Sequence, residues 1–161
     1  PEQHAAIEER LLEILVSPES TYEAKQFVCR MLRRIGSERS VRYLFRMLFD
    51  EQLTDDARFA LQGNSSPEVD SLLRLSLGRL SKDARIGVIG TLGQRHAHDA
   101  VPDLVGLVDT ADSELTGAVV VALGEIGSAE AFEALVALVH VPHERTEDEG
   151  VHEPQEAQEE A

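Results

Sequence analysis

Residues 118–135 read AVVVALGEIGSAEAFEAL, and this stretch decides the fold. Apolar residues recur in it every three or four positions, which is the spacing of one face of an α-helix. Gly127 interrupts the pattern, as a glycine after a helix end does, and the helical spacing then resumes. The stretch therefore predicts two helices joined by a tight turn, with the frame Ala118, Ala122-Leu123-Gly124, Ile126-Gly127, Ala131 and Leu135.

Parts of this frame recur upstream, which indicates an internal repeat. Ile35-Gly36 followed by Leu44 reproduces the second half of the frame. A further copy covers residues 57–73 but lacks the glycines. We therefore expect one two-helix unit to be used several times along the chain.

The segment 89–93, with the sequence IGTLG, reproduces the first half of the frame. In this alignment Gly90 corresponds to Gly124, and extra residues in the loop 94–99 delay Leu104. Gly90 and Gly93 then take the places of the two frame glycines. We predict that both serve close packing of helices.

Helical spacing of apolar residues continues along most of the chain, and no segment shows the sustained alternation of a strand. Glycine, serine and proline separate the helical segments. We predict an all-α protein with nine helices, at residues 3–16, 21–35, 37–49, 54–62, 67–78, 82–93, 99–108, 113–126 and 129–140.

The small residues of the frame have a physical role in this prediction. Alanine and glycine on the first helix of a pair let the next helix approach closely, while leucine, isoleucine and valine fill the space between layers. An isolated helical hairpin cannot bury both of its apolar faces, so several pairs must stack into one continuous core. We expect four and a half pairs curved into a right-handed α-α superhelix.

The centre of the frame, Ala-Leu-Gly-x-Ile-Gly at residues 122–127, closely resembles HEAT-like repeats of the phycobilisome-lyase type. The resemblance is best over residues 57–139. It implies a solenoid that binds proteins on its concave face, and it does not imply a lyase reaction. The positions that carry the repeat are Gly36, Leu44, Gly90, Gly93, Ala122, Leu123, Gly124, Ile126, Gly127 and Leu135.

The formal net charge of −15 is unevenly distributed along the chain. Residues 144–161 hold eight acids and one arginine, whereas residues 21–109 hold 12 acids and 13 bases. An acidic balance disfavours adhesion to nucleic acid and to anionic lipid, and no apolar stretch is long enough to span a bilayer. We expect a solenoid over residues 1–140 and an acidic tail over residues 141–161, disordered or serving as a linker.

The sequence offers little catalytic chemistry, and we predict no catalytic residue, no metal site and no cofactor. Cys29 lies in an apolar helical pattern and is expected to be buried. His96, His98 and Asp99 are close in sequence, but a metal needs a third anchor from elsewhere. The glycines of residues 87–93 follow no strand, so they do not form a phosphate loop.

Arginine is concentrated on the predicted third helix, where Arg39, Arg42 and Arg46 fall on one side, away from the apolar positions. Arg74 and Arg79 on the predicted fifth helix extend this strip. Arginine binds carboxylates through its forked donors, so the strip is a candidate site for an acidic segment of a partner. Ordinary solvated surface and occupation by the chain's own acidic tail are the alternatives.

The leading interpretation is a non-enzymatic scaffold for protein–protein interaction. An accessory or docking domain of a larger, possibly secreted, enzyme is the alternative, since residues 85–93 resemble a block found in HEAT domains of large bacterial proteins. A nucleic-acid enzyme of the HEAT-like DNA glycosylase kind is a distant third. It needs a basic groove and aromatic side chains, whereas this chain is acidic and has no Trp and only two Tyr.

Overall fold

The structure is a computed structural model that describes residues 2–109 and 111–139. Nine α-helices and no strand form this part of the chain, as predicted. A short 3₁₀ turn at His98–Ala100 precedes the seventh helix. The helices are α1 (Glu2–Val16), α2 (Tyr22–Ile35), α3 (Glu38–Met47), α4 (Thr54–Gly63), α5 (Glu68–Ser76), α6 (Lys82–Gln94), α7 (Val101–Val105), α8 (Ser113–Ile126) and α9 (Ala129–Val139).

Short polar side chains fix several helix starts. Ser37, Ser81 and Asp112 stand just before α3, α6 and α8, and the side chain of each accepts a hydrogen bond from a backbone N–H of the first turn. Such caps satisfy N–H groups that have no partner inside the helix. Gly127 ends α8 in the left-handed conformation, with φ of 65°, which a glycine adopts without a steric penalty.

Three predicted helices are shorter in the structure. Helix α3 ends at Met47 and α5 at Ser76, and α7 covers only Val101–Val105 instead of residues 99–108. After α3 and α7 the backbone closes tighter bonds: the N–H of Leu48 donates to the carbonyl of Phe45, and the N–H of Leu107 to that of Leu104. The apolar spacing continues through these turns, so the pattern alone extended the helices too far.

The helices stack in two layers. Helices α2, α4, α6 and α8 contact one another in succession and form the first layer. In the second layer, α1 contacts α3, α3 contacts α5, and α7 contacts α9. This stepwise stack is an all-α solenoid, which confirms the predicted architecture. The handedness of the superhelix stays a prediction.

Three helices of the first layer bury the same three positions, at i, i+3 and i+4. In α4, α6 and α8 these are Ala57, Ala60 and Leu61; Val88, Thr91 and Leu92; and Val119, Ala122 and Leu123, all fully buried. The difference in residue number between Ala57 and Val88 equals that between Val88 and Val119, so one constant offset relates each set to the next. Because apolar burial is the main favourable term in folding, this buried column is the physical basis of the repeat.

The same offset corrects the alignment made from the sequence. It carries Gly93 onto Gly124, His96 onto Gly127 and Leu104 onto Leu135, with no extra residues in the loop. The backbone supports this alignment, because His96 has φ of 51° where Gly127 has φ of 65°. The predicted match of Gly90 with Gly124 was therefore wrong by about one helical turn.

Among the frame glycines, Gly93 has the packing role that was predicted. A Cβ atom placed on it would lie 2.8 Å from Cα of Ala122, so α6 and α8 approach through this glycine. The prediction was wrong for Gly90 and Gly124, where no described atom lies within 4 Å of such a Cβ. Neither glycine therefore allows a close approach of a neighbouring helix.

Candidate partner-binding face

The arginines of α3 lie on its exposed side. Val41 and Leu44 of this helix are fully buried, whereas Arg39, Arg42 and Arg46 are exposed. Because the five positions share one helix, burial of the apolar pair fixes the opposite side toward solvent. The predicted orientation of the three arginines is therefore what the structure shows.

A groove of about 410 Å³ lies between α1 and α3, beside Arg39. Leu12, Val16 and Tyr43 provide its apolar surface, while the carboxylates of Glu9 and Glu13 line it with the arginine. A groove lined by both apolar and charged groups suits a side chain that has both an apolar and a polar part.

Two arginines of the strip form ion pairs with the next helix of the second layer. Nε of Arg42 lies 3.3 Å from Glu68 at the start of α5. Arg74 on α5 pairs in the same way with Asp103 at the start of α7. Pairs this exposed contribute little to stability, roughly 0–1 kcal/mol, so both arginines remain able to exchange partners.

Arg79 does not extend the strip, and its predicted placement on the fifth helix was wrong. Helix α5 ends at Ser76, and the N–H of Arg79 donates to the Ser76 carbonyl in the turn that follows. The guanidinium carbon of Arg79 lies 4.7 Å from the ring centroid of Phe49, near the α3–α4 turn. Arg79 thus lies against the α3–α4 turn, outside α5.

Two buried polar residues that the sequence reading missed hold the α2–α3 turn in place. Glu8 of α1 is 3% exposed, and its carboxylate accepts bonds of 2.8 Å from both the backbone N–H and the hydroxyl of Ser37. Asn64, after α4, donates from its amide to the carbonyls of Gly36 and Ser37. These bonds tie α1 and the end of α4 to the backbone of the turn.

Arg95 holds the α4–α5 turn in the same manner. Its side chain is 12% exposed, and its Nη1 donates to the carbonyls of Leu61, Gln62 and Asn64 at 3.2, 3.1 and 2.6 Å. Its Nε donates to Asp70 of α5. A cation suits this place, because the exposed carbonyls at the end of α4 carry partial negative charge.

The residues considered for metal binding and for nucleophilic chemistry have other surroundings. Nδ1 of His96 lies 2.6 Å from the carbonyl oxygen of Glu125 at the end of α8, while His98 and Asp99 are exposed in the 3₁₀ turn. Within residues 2–109 and 111–139, no three His, Cys, Asp or Glu residues are grouped to hold a metal. Burial raises the pKa of the Cys29 thiol to about 12, so the thiolate is scarce at neutral pH.

Two further predictions concern the acidic tail and the absence of a membrane-spanning stretch. The acidic tail predicted at residues 141–161 lies outside the described residues. Among the described helices, none combines the length and the apolar character that crossing a bilayer requires.

Comparison with known proteins identifies the repeat. No curated protein matches the chain. The family model described as HEAT repeats matches residues 69–149, which is half of the chain. The match is to HEAT repeats in general, so the phycobilisome-lyase subtype stays a resemblance. With its stepwise stack of helix pairs and this match, the chain belongs to the HEAT-repeat family.

Proposed function

We propose that the chain is a non-enzymatic scaffold that binds a protein partner along the second layer, on the concave face of the solenoid. The arginine-bearing side of α3 and the adjoining groove between α1 and α3 form the contact surface. HEAT repeats commonly serve as protein-interaction scaffolds, and their stacked helices offer one continuous surface to a partner.

The main support for this proposal is the exposure of Arg39 and Arg46 and their lack of ion pairs with the described residues. Both are exposed, and neither forms an ion pair with any other residue that the structure describes. Arg39 adjoins the groove between α1 and α3, which contains Tyr43. Arginine and tyrosine are residue types enriched where interfaces concentrate their binding energy.

The chemistry of this surface favours an acidic segment of the partner. A guanidinium binds a carboxylate through two parallel N–H donors, and such charge-assisted bonds are among the stronger hydrogen bonds in proteins. Arg42 already donates one such bond, from Nε to the Glu68 carboxylate at 3.3 Å. A partner's Asp or Glu offers the same group to Arg39 and Arg46, while an apolar side chain next to it enters the groove.

Affinity capture from a cell extract, quantified by mass spectrometry, tests the proposal. The test variant carries Arg39→Glu, Arg42→Glu and Arg46→Glu. We expect it to lose partners that the unaltered chain captures, because the exposed side of α3 changes from basic to acidic.

The matched control reverses three charges on α2 of the first layer, with Lys25→Glu, Arg30→Glu and Arg34→Glu. It has the same net charge as the test variant, and we expect it to retain the partners. Equal capture by the unaltered chain and the α3 variant, or equal loss in both variants, would rule out the α3 surface as the binding site.

A further inference from the structure

A second groove lies where successive helix pairs are connected. It has a volume of about 620 Å³ and is bounded by the α3–α4 turn and the start of α6. Phe49, Glu51 and Asp83 line it, and Arg79 lies at the same groove. Phe49 is 39% exposed. An aromatic ring beside carboxylates suits a guanidinium, which stacks on the ring and donates hydrogen bonds to the acids.

Only one of the carboxylates in this groove forms an ion pair with a described residue. Asp55 pairs with Arg58 at 3.1 Å. Glu51 and Asp83 are exposed and form no ion pair with any residue in the described part of the chain. The groove therefore has two acids available to a cation from outside.

At the next junction along the solenoid, two acids bind a cation of the chain itself. Nζ of Lys82, at the start of α6, lies 3.0 Å from Asp112 and 3.0 Å from Glu114, at the start of α8. These contacts raise the pKa of Lys82, with the bond to Asp112 as the largest cause. The start of α8 thus holds a cation from the preceding repeat.

The offset that carries Val88 onto Val119 also carries Asp83 onto Glu114, and Glu51 onto Lys82. At the earlier junction, an acid therefore occupies the position that supplies the cation at the later one. Asp83 offers a carboxylate as Glu114 does, but the lysine that would bind it is missing at this junction. Ser81 also stands where the later junction has Asp112, and Glu51 lies in the turn before α4, so the earlier junction has two acids and no lysine between them.

From this difference, we propose that the groove bounded by Phe49, Glu51 and Asp83 binds an arginine side chain from a basic segment of a protein partner. The guanidinium lies over the Phe49 ring and donates to both carboxylates. This surface has the opposite charge from the α3 face, and its proposed ligand is different. The failure of either proposal therefore leaves the other standing.

Arg79 shows that the ring of Phe49 accepts a guanidinium, since its own lies 4.7 Å from the ring centroid. Among the described residues Arg79 has no carboxylate partner, so the ring contact alone holds it there. A partner's arginine that reaches Glu51 and Asp83 gains more contacts and displaces it. Removal of Arg79 should therefore strengthen binding.

The experiment is an NMR titration of the full ¹⁵N-labelled chain with a blocked peptide of alternating glycine and arginine. A peptide with citrulline in place of arginine keeps the shape and removes the charge. We expect amide shifts to concentrate at residues 49–51 and 79–84. Position-resolved shifts are needed because residues 144–161 hold eight acids that also attract a basic peptide.

The variant Glu51→Lys supplies from within the chain the cation that Lys82 supplies at the next junction. We expect it to weaken peptide binding about tenfold, the value of one charge-assisted hydrogen bond. The control Glu133→Lys makes the same charge change on the exposed side of α9 and should alter affinity less than about twofold, because distant surface charges are screened.

Several outcomes would overturn the inference. These are no binding, equal binding of the citrulline peptide, equal weakening by Glu51→Lys and Glu133→Lys, and shifts spread over all acidic segments. Weaker binding by Arg79→Ala would overturn the role given to Phe49. Spectra of each variant report directly whether it is folded.

Discussion

Gly93 and Gly90 lie about one helical turn apart on α6 and have opposite surroundings. A Cβ atom on Gly93 would meet the backbone of Ala122 at 2.8 Å and the side chain of Glu125 at 2.5 Å. A Cβ atom on Gly90 would meet no described atom within 4 Å. Alanine substitutions at the two positions therefore distinguish the general cost of glycine in a helix from the need for two helices to approach closely.

We predict that Gly93→Ala and Gly90→Ala change stability in opposite directions. Gly90→Ala should raise the free energy of unfolding by roughly 0.5–1 kcal/mol, because alanine favours the helix more than glycine does. Gly93→Ala should lower it by about 1–3 kcal/mol, since backbone of α8 has to move. Urea unfolding followed by circular dichroism measures both. Stabilisation by Gly93→Ala would contradict the close contact of α6 with α8.

Sequence reading located the apolar residues of the repeat better than its glycines. Leu44 and Leu123 are fully buried, and Ile126 is 3% exposed, as their helical spacing predicts. The glycines at 90 and 93 look alike in the sequence, because a missing side chain gives no sign of which side of a helix meets a neighbour. The correct alignment needed His96, whose left-handed backbone marks the place of Gly127.

At the scale of elements, the turns between helices are joined by polar side chains from the following repeat. Asn64 bonds to the α2–α3 turn, and Arg95 bonds to the α4–α5 turn. The offset of the repeat carries Asn64 onto Arg95, so the two perform one task at equivalent positions. Fixing each turn in this way fixes the angle between successive helix pairs.

We predict that Arg95→Gln lowers the free energy of unfolding by about 2–3 kcal/mol, because it leaves several carbonyl groups and the Asp70 carboxylate without their charged donor. The control Arg42→Gln removes an arginine whose side chain is 81% exposed, and it should cost less than about 1 kcal/mol. Guanidinium chloride affects ion pairs, so urea is the appropriate denaturant. Equal effects of the two variants would show that Arg95 does not support the turn.

The sequence predicted every helix but not these contacts. Helix starts and ends depend on nearby residues such as Ser37 and Gly127, and local patterns report them. Arg95 is next to His96 in sequence, whereas the partners of its side chain are in the preceding repeat. Contacts between distant segments leave no local pattern. The one available signal was the offset that relates Arg95 to Asn64.

On the scale of the whole molecule, the stack presents surfaces of opposite charge. Arg39 and Arg46 make the α3 face basic, and Glu51 and Asp83 make the groove at the α3–α4 turn acidic. The net charge of −15 conceals this division. Partner binding, as proposed, depends on where each charged surface lies. The order of the helix pairs along the solenoid sets these places.

In this structure the chain is a row of equivalent helix pairs, each held by its neighbours. Since Ala57 and Val88 are equivalent, deletion of residues 57–87 joins the start of α4 to the remainder of α6 without a change of helical phase. The shortened chain should form α2 and the fused helix as neighbours. A deletion of residues 57–85 is the control, because two retained residues rotate the apolar face by about 200°.

Urea unfolding of the two deletion variants, followed by circular dichroism, tests this claim most directly. We predict that the chain lacking residues 57–87 remains helical and unfolds cooperatively at a lower urea concentration than the intact chain, as a solenoid with one helix pair fewer should. It also predicts that the chain lacking residues 57–85 shows no cooperative transition. Loss of the transition in both variants would contradict the account, because a single core built from all the helices fails wherever it is cut.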